Sequence, residues 1–175
     1  MISGYSYIAF SEELPKFDGN RSTYLPPEEK EYIMDVVSAK KILSSEDGGY
    51  YKGVWIHKSD LLPSGSGVSY VMVAIASDVN DYQTVMHEYG HFLHLSDVGL
   101  FTYTGAIAVP SFIFAKLSTM GIYQGDYHSL PWEYIAEQYG QVRRGGYDPG
   151  AAERAYIYWE ATILFSQTVK DMEGY

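Results

Sequence analysis

Apolar positions along the chain recur at two periods, and the changes between them mark the elements. Leu25-Pro26-Pro27-Glu28-Glu29-Lys30 opens a helix with prolines and acids. Tyr32, Ile33, Val36 and Val37 continue it at helical spacing, and Lys40-Lys41 place bases in its last turn, so it should end near Leu43. Ser44 to Gly49 is rich in turn residues, and Tyr50 to His57 reads as a strand around Val54, Trp55 and Ile56. Leu62-Pro63-Ser64-Gly65-Ser66-Gly67 breaks the pattern. Val68 to Ala76, with Val68, Val71, Val73 and Ile75, is the best strand in the chain. Helical period resumes over about 80–95, with Asp78, Asn80 and Asp81 available to cap it. A further helix spans 129–140, with Pro131 in its first turn and Gly140 at its end. After the Asp148-Pro149-Gly150 turn, a closing helix over 151–169 carries Ala152, Ala155, Tyr156, Trp159 and Ile163 on one stripe.

At 175 residues, without internal repeats, the chain predicts a single domain over 1–175. A 46% share of hydrophobic residues against 19% charged supplies a core and excludes general disorder. The net charge of −10, with no basic run longer than two residues, argues against nucleic acid as a partner and predicts repulsion of strongly acidic substrates. Cysteine is absent, so a metal must be held by His, Asp or Glu. Met1 to Tyr5 lack the basic and apolar regions of a signal peptide, which leaves localisation open to secretion or to delivery within a larger protein. Val98 to Ala115 carries no charge, but Thr102, Thr104, Gly105, Pro110 and Ser111 dilute it. It is expected to be buried core or an interfacial hairpin, without a transmembrane span.

The chemistry lies in His87-Glu88-Tyr89-Gly90-His91, an H-E-x-x-H sequence. On a helix, positions four apart project side by side. Measured from Tyr82 at about 100° per residue, His87 and His91 fall near 140° and 180°, away from the stripe of Val85, Met86, Tyr89 and Leu93. Glu88 falls beside the pair, at about 240°. Two imidazoles can then hold one Zn2+ per chain, the ion can lower the pKa of a bound water to about 7, and Glu88 can take its proton as general base. Gly90 costs about 1 kcal/mol against alanine inside a helix, so a close backbone contact should compensate for it.

A catalytic zinc needs a third protein ligand, and the residues offer alternatives. Glu133 lies in the first turn of the 129–140 helix with Glu137 one turn on, while Trp132, Ile135, Ala136 and Tyr139 form the buried stripe. Glu133 could reach the metal while Glu137 accepts an N–H from a ligand histidine and fixes its orientation. Asp97, ten residues after His87, is the alternative third ligand, although His94 stands where a glycine would ease the turn. His94 is expected to line the cleft or cap the helix. His128, just before the second helix, could be a ligand but is better placed to polarise a substrate carbonyl or hold the oxyanion. His57 is read as structural. Among the 18 tyrosines, Tyr123, Tyr127 and Tyr134 are candidates for a phenol at the site.

His87-Glu88-Tyr89-Gly90-His91, followed some forty residues later by Trp132-Glu133 and Ala136-Glu137, resembles a zincin metallopeptidase of the Glu-ligand (gluzincin) type. More narrowly it is similar to the small metallopeptidase domains at the ends of Rhs-type bacterial polymorphic toxins. The likeness covers about 68–140; Glu137 stands where that family usually has Asp or Asn, and residues 1–60 match nothing in it. The resemblance implies a zincin-like α+β fold with a small, mostly antiparallel sheet, whose edge strand at about 68–76 lines the cleft and pairs with extended substrate. It also implies zinc-dependent hydrolysis of peptide bonds, as an endopeptidase on peptide or protein substrates. The competing reading is a non-catalytic module that presents tyrosines to a protein partner on a zincin-like scaffold. A third is a peptidase attached to a membrane surface through 98–115. Oligomeric state is left open by the sequence.

Overall fold

A computed structural model describes residues 27–173. Leu25 and Pro26, expected to open the first helix, lie outside the described residues. Helix α1 (Pro27–Ser44) has Glu28 and Glu29 in its first turn and Lys41 in its last, as the charge pattern predicts. It buries Ala39 and Ile42 against the sheet.

The segment expected to be one strand over 50–57 is instead a hairpin, β1 (Gly48–Tyr51) and β2 (Val54–Ser59). Lys52 and Gly53 both adopt positive φ, 46° and 84°, and Tyr51 faces Val54 across them. Two consecutive positive φ values in a two-residue loop match the twist of the flanking strands, so the chain reverses there. The expected edge strand over 68–76 also divides, into β3 (Gly67–Ser69) and β4 (Val73–Ala76). The Tyr70 N–H donates to the Met72 carbonyl to close the turn, and Val71 and Met72 point outward. All four residues of β4 are buried, so β4 belongs inside the sheet. The order is β1-β2-β4-β3. Two pairings are antiparallel and β2–β4 is parallel, which makes the sheet mixed and leaves only the short β3 at the cleft edge.

Helix α2 (Tyr82–Val98) begins where the Asp81 carboxylate accepts the Gln83 N–H at 3.0 Å. Its buried Val85 and Met86 join the sheet and α1 in one core. The uncharged stretch is neither buried core nor hairpin: it forms one helix, α3 (Leu100–Thr119), with a π-helical turn at Thr104–Ala108. Pro110 has no N–H for the preceding turn, and the Tyr158 hydroxyl takes the Ala106 carbonyl there. This helix is long and apolar enough by length and composition to cross a membrane. Its outer face exposes Phe101, Phe112 and Ile113, while Tyr103 and Ile107 pack into a second core with Leu130 and Trp132.

Helix α4 (Pro131–Tyr139) and helix α5 (Ala151–Glu173) match the two expected C-terminal helices. The inner face of α5 differs from the apolar stripe predicted for it. Ala151, Ala155, Thr162 and Ser166 are buried, and Tyr156 is exposed. Ser166 Oγ donates to the Val98 carbonyl at 2.6 Å, so this polar face holds the C-terminal end of α2.

The approach of α2 to α4 positions the site. A Cβ on Gly90 would lie 1.8 Å from the Ala136 carbonyl oxygen, and one on Gly140 would lie 2.1 Å from that of Met86. Only glycine permits these backbones to come so close. This is the contact expected to compensate for a mid-helix glycine.

Candidate metal centre

Because α2 and α4 touch at Gly90, the first turn of α4 lies over the histidine pair. Glu133 Oε2 is 3.1 Å from His87 Nε2 and 3.1 Å from His91 Nε2. All three residues are buried, and their donor atoms lie within 4.8 Å of one another, so they could hold a metal ion. Two imidazole nitrogens and one carboxylate oxygen form a donor set suited to a divalent transition metal. A tetrahedral ion with bonds of about 2.0–2.1 Å separates its ligand atoms by about 3.3 Å, close to the spacing found.

Tautomers decide whether the nitrogens can ligate. Glu137 Oε1 lies 3.7 Å from His87 Nδ1, the ring nitrogen that faces away from Glu133. That distance is too long for a hydrogen bond, yet the buried carboxylate favours a proton on Nδ1 and leaves the Nε2 lone pair for a cation. Glu137 thus occupies the expected supporting position, but its close contacts are with other groups. His128 Nδ1 and Arg144 Nε each lie 3.0 Å from Oε1, and the Tyr147 hydroxyl donates to Oε2. His87, His128 and Glu137 form a second potential ligand set, but the Arg144 guanidinium already sits against it.

Glu133 is held from its other oxygen. Tyr127 OH donates to Oε1 at 2.7 Å and Ser111 Oγ at 2.6 Å, and the two hydroxyls are 2.9 Å apart. Burial pushes the Glu133 pKa up, but the fields and hydrogen bonds of His91 and His87 outweigh it and hold the carboxyl well below the usual range. Burial pulls the His91 pKa down, and the Glu133 carboxylate reverses this and raises it.

Glu88 is the third member of the motif and does not ligate. Burial pushes its pKa up, against the pull of His87 and His91. Its Oε2 has no hydrogen-bond partner among the described residues, and it lines a cleft of about 780 Å3 with His87, His91 and Glu133. Gly67 on β3 makes room for it, since a Cβ there would lie 2.5 Å from Glu88 Cγ and Oε1. In β3 the Ser66 carbonyl and Tyr70 N–H pair towards β4, so by antiparallel alternation the main-chain groups of Gly67 and Ser69 point to the edge. The Tyr103 hydroxyl donates to the Ser69 carbonyl at 3.3 Å.

The remaining candidates separate clearly. Asp97, the alternative ligand, is exposed at the far end of α2 and accepts from the Tyr139 hydroxyl, so the structure does not bring it to the histidines. Residues 94–98 continue as helix, which carries Asp97 away from the pair. His94 neither lines the cleft nor caps the helix. It is fully buried, stacked on Tyr139 at 5.5 Å, and burial pushes its pKa down to about 3. His57 is exposed on β2, where its Nδ1 accepts from Trp55 Nε1.

His128 lines the cleft as expected, but both its ring nitrogens face protein groups. Arg144 Nη1 lies 3.0 Å from Nε2 and can only donate, so Nε2 accepts and Nδ1 carries the proton towards Glu137. Of the three candidate phenols, Tyr127 is the one in contact with Glu133. Ser111, Tyr103, Gly67 and Arg144 were not singled out by sequence reasoning. Each reaches the site through tertiary packing. The chain matches no family model, no curated protein and no solved structure.

Proposed function

We propose that the protein is a zinc-dependent peptidase, with His87, His91 and Glu133 as metal ligands and Glu88 as general base. The observation that carries this reading is the convergence of His87 Nε2, His91 Nε2 and Glu133 Oε2 beside an unpartnered carboxyl oxygen of Glu88. Zinc held there would supply a Lewis acid and water acidified towards neutral pH. The resemblance to gluzincins in the H-E-x-x-H and Trp-Glu segments points the same way.

Each residue then has a task that follows from its position. Glu88, buried and raised in pKa, takes a proton from water at its free Oε2 and returns it to the leaving amine. Ser111 and Tyr127 hold Glu133 by its second oxygen, which keeps Oε2 directed at the histidines. Glu137 holds His128 and Arg144 against the cleft wall. The outward main-chain groups of Gly67 and the Ser69 N–H offer an extended peptide a short edge to pair with, beside Glu88.

The test is hydrolysis of a diverse peptide library by zinc-loaded protein, with Glu88→Gln alongside. The expected result is cleavage by the wild type and loss of at least about 100-fold in rate in the variant, which still binds zinc. Equal cleavage by both, or none by zinc-loaded wild type, would refute the reading.

A further inference from the structure

The net charge of the chain predicts that acidic substrates are repelled, but away from Glu88 and Glu133 the charged residues of the cleft are cationic. Apart from Glu88 and the ligands, the residues lining the cleft that carry full charge are Lys116 and Arg144, both cationic. They enter from separate elements, Lys116 from α3 and Arg144 from the segment between α4 and α5. Among the described residues, no carboxylate forms an ion pair with Lys116, which is exposed on its helix. Arg144 is fixed in place by Glu137 and His128. The Glu137 carboxylate, 3.0 Å from Arg144 Nε, offsets the Arg144 charge, which leaves Lys116 as the unpaired cation of the cleft among the described residues.

We propose that the cleft selects polypeptides presenting a carboxylate near the bond to be cut, with Lys116 as the residue that recognises it. The inference rests on the peptidase reading. Ser111, which touches Glu133, and Lys116 are five residues apart on α3, about 7.5 Å along the axis. An extended peptide covers that span in about two residues. With about 140° of turn added to that rise, Lys116 meets a group about two to three positions from the one lying over Glu133. A cationic side chain at the rim of a cleft attracts the carboxylate of a ligand locally, whatever the net charge of the molecule. The carboxylate can belong to an Asp or Glu side chain or to a free C-terminus.

The test uses fluorescein-labelled peptides identical except for Glu, Gln or Lys at the central positions, each with an amidated or a free C-terminus. Their affinities are measured by fluorescence anisotropy on the full chain carrying Glu88→Gln, with and without Lys116→Glu. The expected result is a Glu peptide bound about fivefold tighter than its Gln counterpart, with the difference shrinking as salt is added and reversing in favour of Lys in K116E. If Lys116→Glu does not fold, Lys116→Gln should abolish the preference. A preference among amidated peptides assigns the side-chain carboxylate; one restricted to free C-termini assigns the terminal carboxylate. Equal affinities throughout, a preference untouched at Lys116, or no binding at all would overturn the proposal. Cleavage by wild-type protein is scored separately. Charge-selective binding without cleavage refutes the peptidase reading alone, and cleavage without charge preference refutes this inference alone.

Discussion

Gly90→Ala tests how the site is built, because one methyl group stands between the two helices that form it. The added Cβ would sit 1.8 Å from the Ala136 carbonyl oxygen. A carbon needs about 3.3 Å from such an oxygen, so α4 must retreat from α2 by about 1.5 Å. Ligand positions tolerate about 0.2 Å, and Glu133 rides on α4 only three residues from Ala136. The variant should lose about 100-fold or more in zinc affinity, measured by competition with a chromophoric chelator. Overpacking costs about 1–3 kcal/mol, offset by about 1 kcal/mol of helix propensity, so thermal stability without metal should fall by about 2 kcal/mol or less. Gly105→Ala is the matched control: it too is helical, and its Cβ would meet nothing within 4 Å. Wild-type zinc affinity in Gly90→Ala would refute the claim that this contact sets the ligand geometry.

Two further predictions follow from neighbouring groups. Ser111→Ala with Tyr127→Phe removes both donors to Glu133 Oε1 and should weaken zinc binding by about 10-fold to 100-fold, read by the same competition. His94 gives the fold an acid sensitivity of definite sign. Below about pH 6.5 the unfolded chain protonates it, whereas the buried side chain resists protonation until about pH 3. Stability is therefore lost as pH falls between these values, by on the order of 4 kcal/mol, and His94→Phe should flatten that loss in urea melts at pH 4 to 7. An acid arm unchanged in His94→Phe would place the sensitivity elsewhere.

The sequence carried the parts of the structure that are local. Pro131 and Gly140 bracket α4, and the H-E-x-x-H spacing puts His87 and His91 on one face whatever surrounds them. Glu133 was legible as a candidate ligand because it stands with Glu137, one turn on, on the flank of an amphipathic helix beside its buried stripe. Gly90 was legible as a contact for the energetic reason that a mid-helix glycine needs one. What escaped depends on the chain meeting itself. The Lys52-Gly53 reversal lacks the Asn or Asp that usually announces such a turn, so the hairpin read as one strand. Apart from Ser69 and the Tyr70 hydroxyl the 68–76 run is apolar, and periodicity could not show that Val71 and Met72 form a turn. The stretch after Val98 read as hairpin or core because Thr102, Thr104, Gly105, Pro110 and Ser111 dilute it, and the Tyr158 hydroxyl on the Ala106 carbonyl is a tertiary contact that helps place Pro110 in a helix. The cationic residues of the cleft were invisible for the same reason: net charge sums over the chain, whereas a substrate meets Lys116 and Arg144.

The central claim is that His87, His91 and Glu133 form one metal centre. Elemental analysis of purified wild-type protein beside Glu133→Ala and Asp97→Ala tests it most directly. The expected result is about one zinc per chain in the wild type and in Asp97→Ala, and loss of the metal in Glu133→Ala. No zinc in the wild type after addition of the metal, or full retention in Glu133→Ala, would contradict it.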